Sequence, residues 1–581
     1  MRKRLSIAIL LAGFGVNSIF AQNTPAGAGD ATASDLDSLK ARISEQQAQI
    51  KKLQQAVEDQ QKMLEQAMQA ATKKAADSTT STAAAVPLAA TTTDGTNVVP
   101  TANVAGPIKL VPAVGGNPNR YPAPTGQTPN STSPCDEGNP SPTFVRLGNT
   151  CVVPIGFMDL TALWRSENAA SSIGTNFGSV PFNNALAAHN SEFRFSPQNS
   201  RLGFRIDGDW KGTHFIAYNE FDFLGTSGAT NLTVTNGAFV PRLRLFWVDV
   251  AKGKFEFLAG QSWSMLTPNR TGISALPGDL FYSQVTDVNY TVGLTWTRQP
   301  GMRVLIHPSK KVTFGFSAEN PDQYIGGANG STVITLPSAL SALSTTQLDN
   351  GGSITTTNTV LATPTYTPDL IAKVAFDPTS RFHFEVAGIE SQFRIFNPNT
   401  GTALGAQQHF STSGGGLQVG LNAAVLKNLR LITTNFLTDG DGRYLFGQVP
   451  DVIVRANGAL SPVHAVASVD GFEATLGKFL LYGYYGGIQI GKNVALDANG
   501  KSLIGYGYSG SSQNRVLQEA TFGFNETVWK NPKYGAINLM GQYEWAFRDP
   551  FFVAAGAPKN AHDSTVYINV RYSLPGAIPK F

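Results

Sequence analysis

The chain has 581 residues, 42% of them hydrophobic and only 14% charged, with 58 glycines, 33 prolines and a formal charge of +4. Beyond the N-terminus no stretch reaches the roughly 18 to 20 apolar residues of a membrane helix, which excludes a helical span without arguing for solubility, because barrel strands hide their hydrophobicity by alternation. The cations Arg2, Lys3 and Arg4 belong to a segment expected to be removed, so the formal charge falls to about +1 and no nucleic-acid partner is expected.

That segment, residues 1–21, reads as a secretory signal peptide: a basic start, an apolar run from Leu5 to Phe20, and Ala21 as the last residue removed. A short polar tether, Asn23 to Ala33, follows. Residues 34–74 form a predicted α-helical coiled coil with Leu36, Ile43, Ile50, Val57, Leu64 and Ala71 at position a, and Leu39, Gln46, Leu53, Gln60 and Ala67 at position d. A lone amphipathic helix is the alternative, but the apolar stripe is narrow and its flanks are Gln-rich. The Gln46 and Gln60 layers fix register without fixing the number of strands in the coil.

Residues 75–150 are Thr/Ala-rich and then Pro/Gly/Asn-rich, an extended periplasmic linker. Its end carries Cys135, and Cys151 follows at the start of the next segment. Export places this pair in an oxidising compartment, so a disulfide is expected. It would close a loop of about 15 residues, worth about 3 kcal/mol in the chain-entropy account. Two free thiols or half a metal site is the competing reading, and no histidine lies nearby to complete such a site.

From Cys151 to Phe581 the sequence alternates with period two. In Arg201–Asp207, Leu202, Phe204 and Ile206 fall on one face and Arg201, Arg205 and Asp207 on the other; Val566, Ile568, Val570 and Tyr572 repeat the pattern near the C-terminus. A strand with one lipid-type face and one ionic face belongs to a transmembrane β-barrel with a wet lumen. Short turns are visible at Trp210-Lys211-Gly212, Ala251-Lys252-Gly253-Lys254, His307-Pro308-Ser309-Lys310 and Asp377-Pro378-Thr379-Ser380, and near Lys427-Asn428, Gly477-Lys478 and Lys530-Asn531-Pro532-Lys533. They alternate with long polar segments and imply an all-β barrel of about 16 antiparallel strands over residues 151–581. An even strand count puts both chain ends on one side, the periplasmic side where the coil starts.

About 16 strands leave an aqueous channel. The row opposite the aromatics supplies its lining: Arg201 and Arg205 from the second strand, Glu220 and Asp222 from the third, Arg242 and Arg244 from the fourth, with Leu243, Leu245 and Trp247 expected to face lipid. Arg298 and Arg303 lie five apart on the sixth strand and share a face only if Pro300-Gly301 forms a bulge. Arg430, Arg548 and Arg571 come from later strands. Acids appear fewer and clustered, at Asp207, Glu220 and Asp222. One reading is a basic ladder that draws in anions through guanidinium forks; the other is arginines that pair with these acids and brace the wall. The segment from Met265 to Asn289, carrying Arg270, Asp279 and Asp287, is the expected constriction loop, the alternative being a loop over the rim. No His, Ser or Cys constellation suggests catalysis, no metal motif is present, and no cofactor is implied.

Signal, coiled coil, Pro-rich linker and a barrel opening Pro154-Ile155-Gly156-Phe157-Met158-Asp159 resemble the DcaP-like trimeric outer-membrane porins. Ser200–Phe204, Tyr218–Phe223 and Leu258–Trp263 are similar to that family's early strands and to the strand before its constriction loop. The last of these also resembles a stretch of the phosphate-selective porins. The resemblance implies a homotrimer in the cell outer membrane, in contact with its lipid, passing small hydrophilic solutes and favouring small organic anions such as dicarboxylates. The alternative from another class is a structural anchor whose periplasmic coil tethers the barrel. Pro575 and Pro579 depart from the usual alternating approach to a terminal aromatic such as Phe581, and place the end of the last paired strand near Leu574.

Overall fold

The computed structural model describes Lys51 and residues 144–168, 173–225, 240–276, 290–321, 324–326, 334–340, 367–397, 408–510 and 513–575. The signal peptide, the coiled coil apart from Lys51, the linker before Phe144 with Cys135, the loop acids Asp279 and Asp287, and Phe581 lie outside the described residues. All the strands belong to the second of two compact units, Val104–Phe581.

The alternating residues form sixteen barrel strands. They are β1 (Thr150–Arg165), β2 (Glu192–Ser196 continued by Arg201–Trp210), β3 (Thr213–Gly225), β4 (Val240–Lys252), β5 (Phe255–Trp263), β6 (Arg298–Ser309), β7 (Val312–Glu319) and β8 (Asp369–Thr379). The second half comprises β9 (Phe382–Asn397), β10 (Gln408–Leu426), β11 (Leu429–Asp439), β12 (His464–Leu476), β13 (Phe479–Ile490), β14 (Asn514–Asn531), β15 (Gly535–Pro550) and β16 (Ala561–Ser573). Each pairs antiparallel with its sequence neighbour. Closure comes from β1 on β16, running from Phe157 opposite Ser573 to Arg165 opposite Thr565. Closure removes the sheet edges that a membrane could not solvate.

Pro197 interrupts β2, because it cannot donate to a ladder; beside the gap, the Asp159 N–H donates to Ser200 Oγ at 2.9 Å. The first short turn has Lys211 at φ 49° and Gly212 at φ 74°, the left-handed pair that a two-residue hairpin needs. At the far end the Leu574 N–H donates to Gly156 O at 3.1 Å, and Pro575 follows, so among the described residues pairing ends where the sequence placed it.

Outward residues such as Leu202, Phe204, Phe246, Phe257, Phe316 and Ile568 are exposed, forming the apolar face that a bilayer would cover. The interior holds more than ions. Inward-facing Leu258, Leu305, Ile371, Ile432 and Leu517 pack with Phe177, Leu266, Ile273, Tyr290, Leu445 and Val454 from the long connections in one buried apolar cluster. The main core of this molecule therefore sits inside the barrel, built where loops fold inward onto the wall.

Candidate pore lining

The predicted basic rows converge with the predicted acids. Arg242 grips Asp222 with both nitrogens, Nε to Oδ1 at 3.0 Å and Nη2 to Oδ2 at 2.7 Å. Arg244 donates to Glu220 at 2.7 Å and to Asp222 at 2.8 Å, and its side chain is fully buried. Arg201 lies 3.8 Å from Glu220. Three guanidiniums thus surround two carboxylates. Arg205 is spent elsewhere: it forks onto Asp207 at 2.7 and 2.6 Å, and His214 approaches the same carboxylate at 3.5 Å.

One facing differs from the expectation. Leu245 and Trp247 point inward and are buried, while Phe246 and Val248 are exposed. The cause is a bulge in β4: Glu220 sits opposite Leu245 and Phe221 opposite Leu243, which leaves Arg244 as the extra residue. A one-residue shift turns every following side chain to the other face. It also places Trp247 against Tyr218, stacked at 5.2 Å, and brings Arg244 to both acids. On β6 the bulge that would unite Arg298 with Arg303 is missing, since Pro300 and Gly301 pair in continuous register with Gln261 and Gly260. Arg303 is buried and donates to Ser262 Oγ and Trp263 O, whereas the Arg298 guanidinium lies over the Trp263 ring at 5.1 Å.

The expectation that inward acids are few is also corrected. Glu256 faces His307 at 3.1 Å, Glu385 holds Lys373 at 2.9 Å and His383 at 3.1 Å, and Asp159 accepts from Arg571 at 2.8 Å. Glu319, Glu473, Glu519 and Glu544 are buried as well. Their signal was present in the alternation Phe255-Glu256-Phe257 and Phe382-His383-Phe384-Glu385, where an ionic residue between two lipid-facing aromatics must point inward.

Several of these acids anchor the inward loop. After Trp263 the chain crosses the lumen: the Met265 N–H donates to Glu319 on β7 at 2.8 Å, the Asn269 N–H to Glu385 on β9 at 3.3 Å, and Arg270 ion-pairs Glu473 on β12 at 2.6 Å. Lys373 on β8 donates to Thr267 O at 2.9 Å. On the return the Val292 N–H donates to Glu519 on β14 at 2.8 Å. Glycines clear the path: a Cβ on Gly486 would lie 1.9 Å from Val292 O, and one on Gly293 would lie 2.5 Å from Ser468 O. The described parts of this loop therefore fold inward and do not lie over the rim.

Two further connections meet it. Tyr290 packs its ring at 5.8 Å from Phe177 in the first long connection, whose Gly178 and Val180 carbonyls are held by Arg548 at 3.0 and 2.6 Å. On its other side Tyr290 stacks at 4.3 Å on Phe446 of the connection after β11. In that connection burial pushes the Asp441 carboxyl up to about 7. Arg430 donates to Asn422 at 2.5 Å. Cys151, at the start of β1, is buried and disulfide-bonded.

No family model and no curated protein matches the sequence. Solved structures do. The DcaP outer membrane channel of Acinetobacter baumannii is similar over 74% of this chain and 99% of its own, at 18% identity and a TM-score of 0.52. The likeness shows the barrel fold and agrees with the resemblance read from the sequence. An anion-selective porin from Comamonas acidovorans aligns over 73% of this chain and 100% of its own, at 12% identity and a TM-score of 0.40. The Vibrio cholerae outer-membrane protein OmpT aligns over 74% of this chain and 100% of its own, at 9% identity and a TM-score of 0.39.

Proposed function

We propose that this chain is an outer-membrane porin through which small hydrophilic solutes diffuse, with small organic anions such as dicarboxylates favoured, and that it works as a homotrimer with its N-terminal coil in the periplasm. One observation carries the porin reading: a closed sixteen-strand barrel with an apolar exterior, an ionic interior and a loop crossing its lumen. A barrel of that size encloses a channel, and an inward loop narrows it so that wall charges act on a passing solute. The anion preference is supported by the cluster of Arg201, Arg242 and Arg244 around Glu220 and Asp222, which keeps an excess of one positive charge. Among the other wall acids, Glu385 is met by Lys373 and His383, Glu473 by Arg270 and Asp159 by Arg571.

The test is conduction by the purified full chain in planar bilayers under a salt gradient, with dicarboxylates added as competitors. Stepwise channel currents, an anion-favouring reversal potential and block by dicarboxylates are expected. Silent bilayers after verified insertion would end the porin reading, and a cation-favouring potential would end the anion preference alone. For the trimer, deletion of Ser34 to Lys74 should leave a conducting trimer on native gels, because flat barrel walls bury large areas; monomers alone would count against it.

A further inference from the structure

Each of the seven short turns carries an exposed cation. Lys211 stands in the first, Lys254 in the second and Lys310 with Lys311 in the third. Arg381, Lys427, Lys478 and Lys533 occupy the other four, and Lys252 and Lys530 are exposed on adjoining strand ends. Neither Asp nor Glu lies between the strands at these turns; on the adjoining strand ends Asp209 is met by His214 at 2.9 Å and Asp377 by His383 at 2.8 Å, and Glu526 is half-buried. Among the described residues the long-loop end differs, because there both signs occur and several pair: Arg194 with Glu192 at 2.8 Å, Arg515 with Asp549, and His464 with Asp439 at 3.0 Å.

Aromatic side chains border the same ring. Trp210 is 63% exposed and the Lys211 ammonium sits 4.9 Å from its ring centroid; Phe255 adjoins Lys254, Phe382 adjoins Arg381, and Phe479 adjoins Lys478. Amphipathic aromatics settle at the boundary between hydrocarbon and water, and lysine lays its stem on apolar surface while its ammonium reaches out. The cations therefore stand at the depth of lipid headgroups. Neighbouring turns are two strand spacings apart, about 10 Å, close to the Debye length of about 8 Å at physiological salt. Their fields merge into one positive rim.

We propose that this rim is a docking surface for anionic phospholipids of the leaflet that the turns face, with the lysines binding headgroup phosphates of a lipid such as phosphatidylglycerol. The proposal rests on the membrane-channel reading. Charge complementarity and the aromatic border favour a lipid over a soluble polyanion, since the cations on the wall outside the subunit seams stand where lipid must pack.

The test uses the full chain in phosphatidylcholine vesicles doped with spin-labelled phosphatidylglycerol or spin-labelled phosphatidylcholine, reading the motionally restricted lipid at the wall. Phosphatidylglycerol should be enriched about threefold over phosphatidylcholine at low salt, and the enrichment should collapse toward parity at about 0.5 M NaCl. The variant carrying Lys211→Gln, Lys254→Gln, Lys310→Gln, Lys311→Gln, Lys427→Gln and Lys478→Gln, which keeps four of the ten rim cations, should lose most of the enrichment at low salt. These side chains are exposed, and heat-modifiability on gels verifies that the variant folds. Equal partition of the two lipids in the unmodified chain overturns the proposal, as does enrichment that is undiminished in the variant. Solute-driven swelling of the same vesicles separates the two readings: swelling with equal lipid partition defeats the rim and leaves the porin, whereas enrichment without swelling defeats the porin and leaves the rim.

Discussion

Away from the closing seam, charged side chains of the wall find partners two residues along a strand or directly across a ladder: Arg205 with Asp207 and Arg242 opposite Asp222. The inward loop is held differently. Its Met265 N–H reaches an acid 54 residues away, Arg270 one 203 away and the Val292 N–H one 227 away. Short-range pairs form whenever the strands form. Long-range ones need distant strands of the wall in place, so the wall behaves as the frame and the loop as its tenant.

The sharpest way to break this contrast is to remove the residue on which the local network turns. Arg244→Gln strips donors from both Glu220 and Asp222 in a buried setting and should destabilise the barrel by about 3–5 kcal/mol. Chemical unfolding in detergent reads this directly. A loss below about 1 kcal/mol would mean that the cluster exchanges freely with lumen water and behaves like a surface pair.

Gly486→Val attacks the loop through the wall. The new side chain meets Val292 O at a distance no Cβ tolerates, so the return segment must lift and its bond to Glu519 must break. A cost of about 1–3 kcal/mol follows from overpacking, together with noisier or larger single-channel currents as the loop comes loose. An unaltered conductance trace would show that the loop has no grip on permeation.

The connection after β11 supplies a pH handle. Burial raises the Asp441 carboxyl to about 7 from an ordinary 3.8, so between those values the folded chain holds a proton that the unfolded chain releases. Stability from this group is therefore full below about pH 4 and declines as pH rises to about 7. Thermal midpoints in detergent should fall over that window, and Asp441→Asn should flatten the slope. A slope identical in the variant would assign the titration to another group.

Strand number, turn positions and the end of pairing near Leu574 were legible because period-two alternation and short turns are local signals. The pairing of Arg242 with Asp222 was open to the same reading, since both sit on the ionic face of adjacent strands. The inward facing of Leu245 and Trp247 was not, because a bulge leaves no mark in composition and reverses parity from one residue onward. The acids that carry the loop were hidden for a second reason. Glu319, Glu385 and Glu519 look like ordinary inward residues until a backbone N–H from a distant segment arrives to meet them.

The smallest effect is also the most discriminating for selectivity. Arg242 is about one-third exposed in a cluster whose other central arginine is buried, so Arg242→Gln leaves Asp222 still bound by Arg244 and should cost no more than about 1 kcal/mol. It removes the excess positive charge from the cluster without collapsing it. At physiological salt the Debye length is about 8 Å, so that charge is felt by a solute only where the lumen is narrowed. The reversal potential in a salt gradient should then move toward cations, and block by dicarboxylates should weaken, with folding intact. If the potential stays where it was, the arginines of β2 and β4 brace the wall and selectivity lies elsewhere in the lumen.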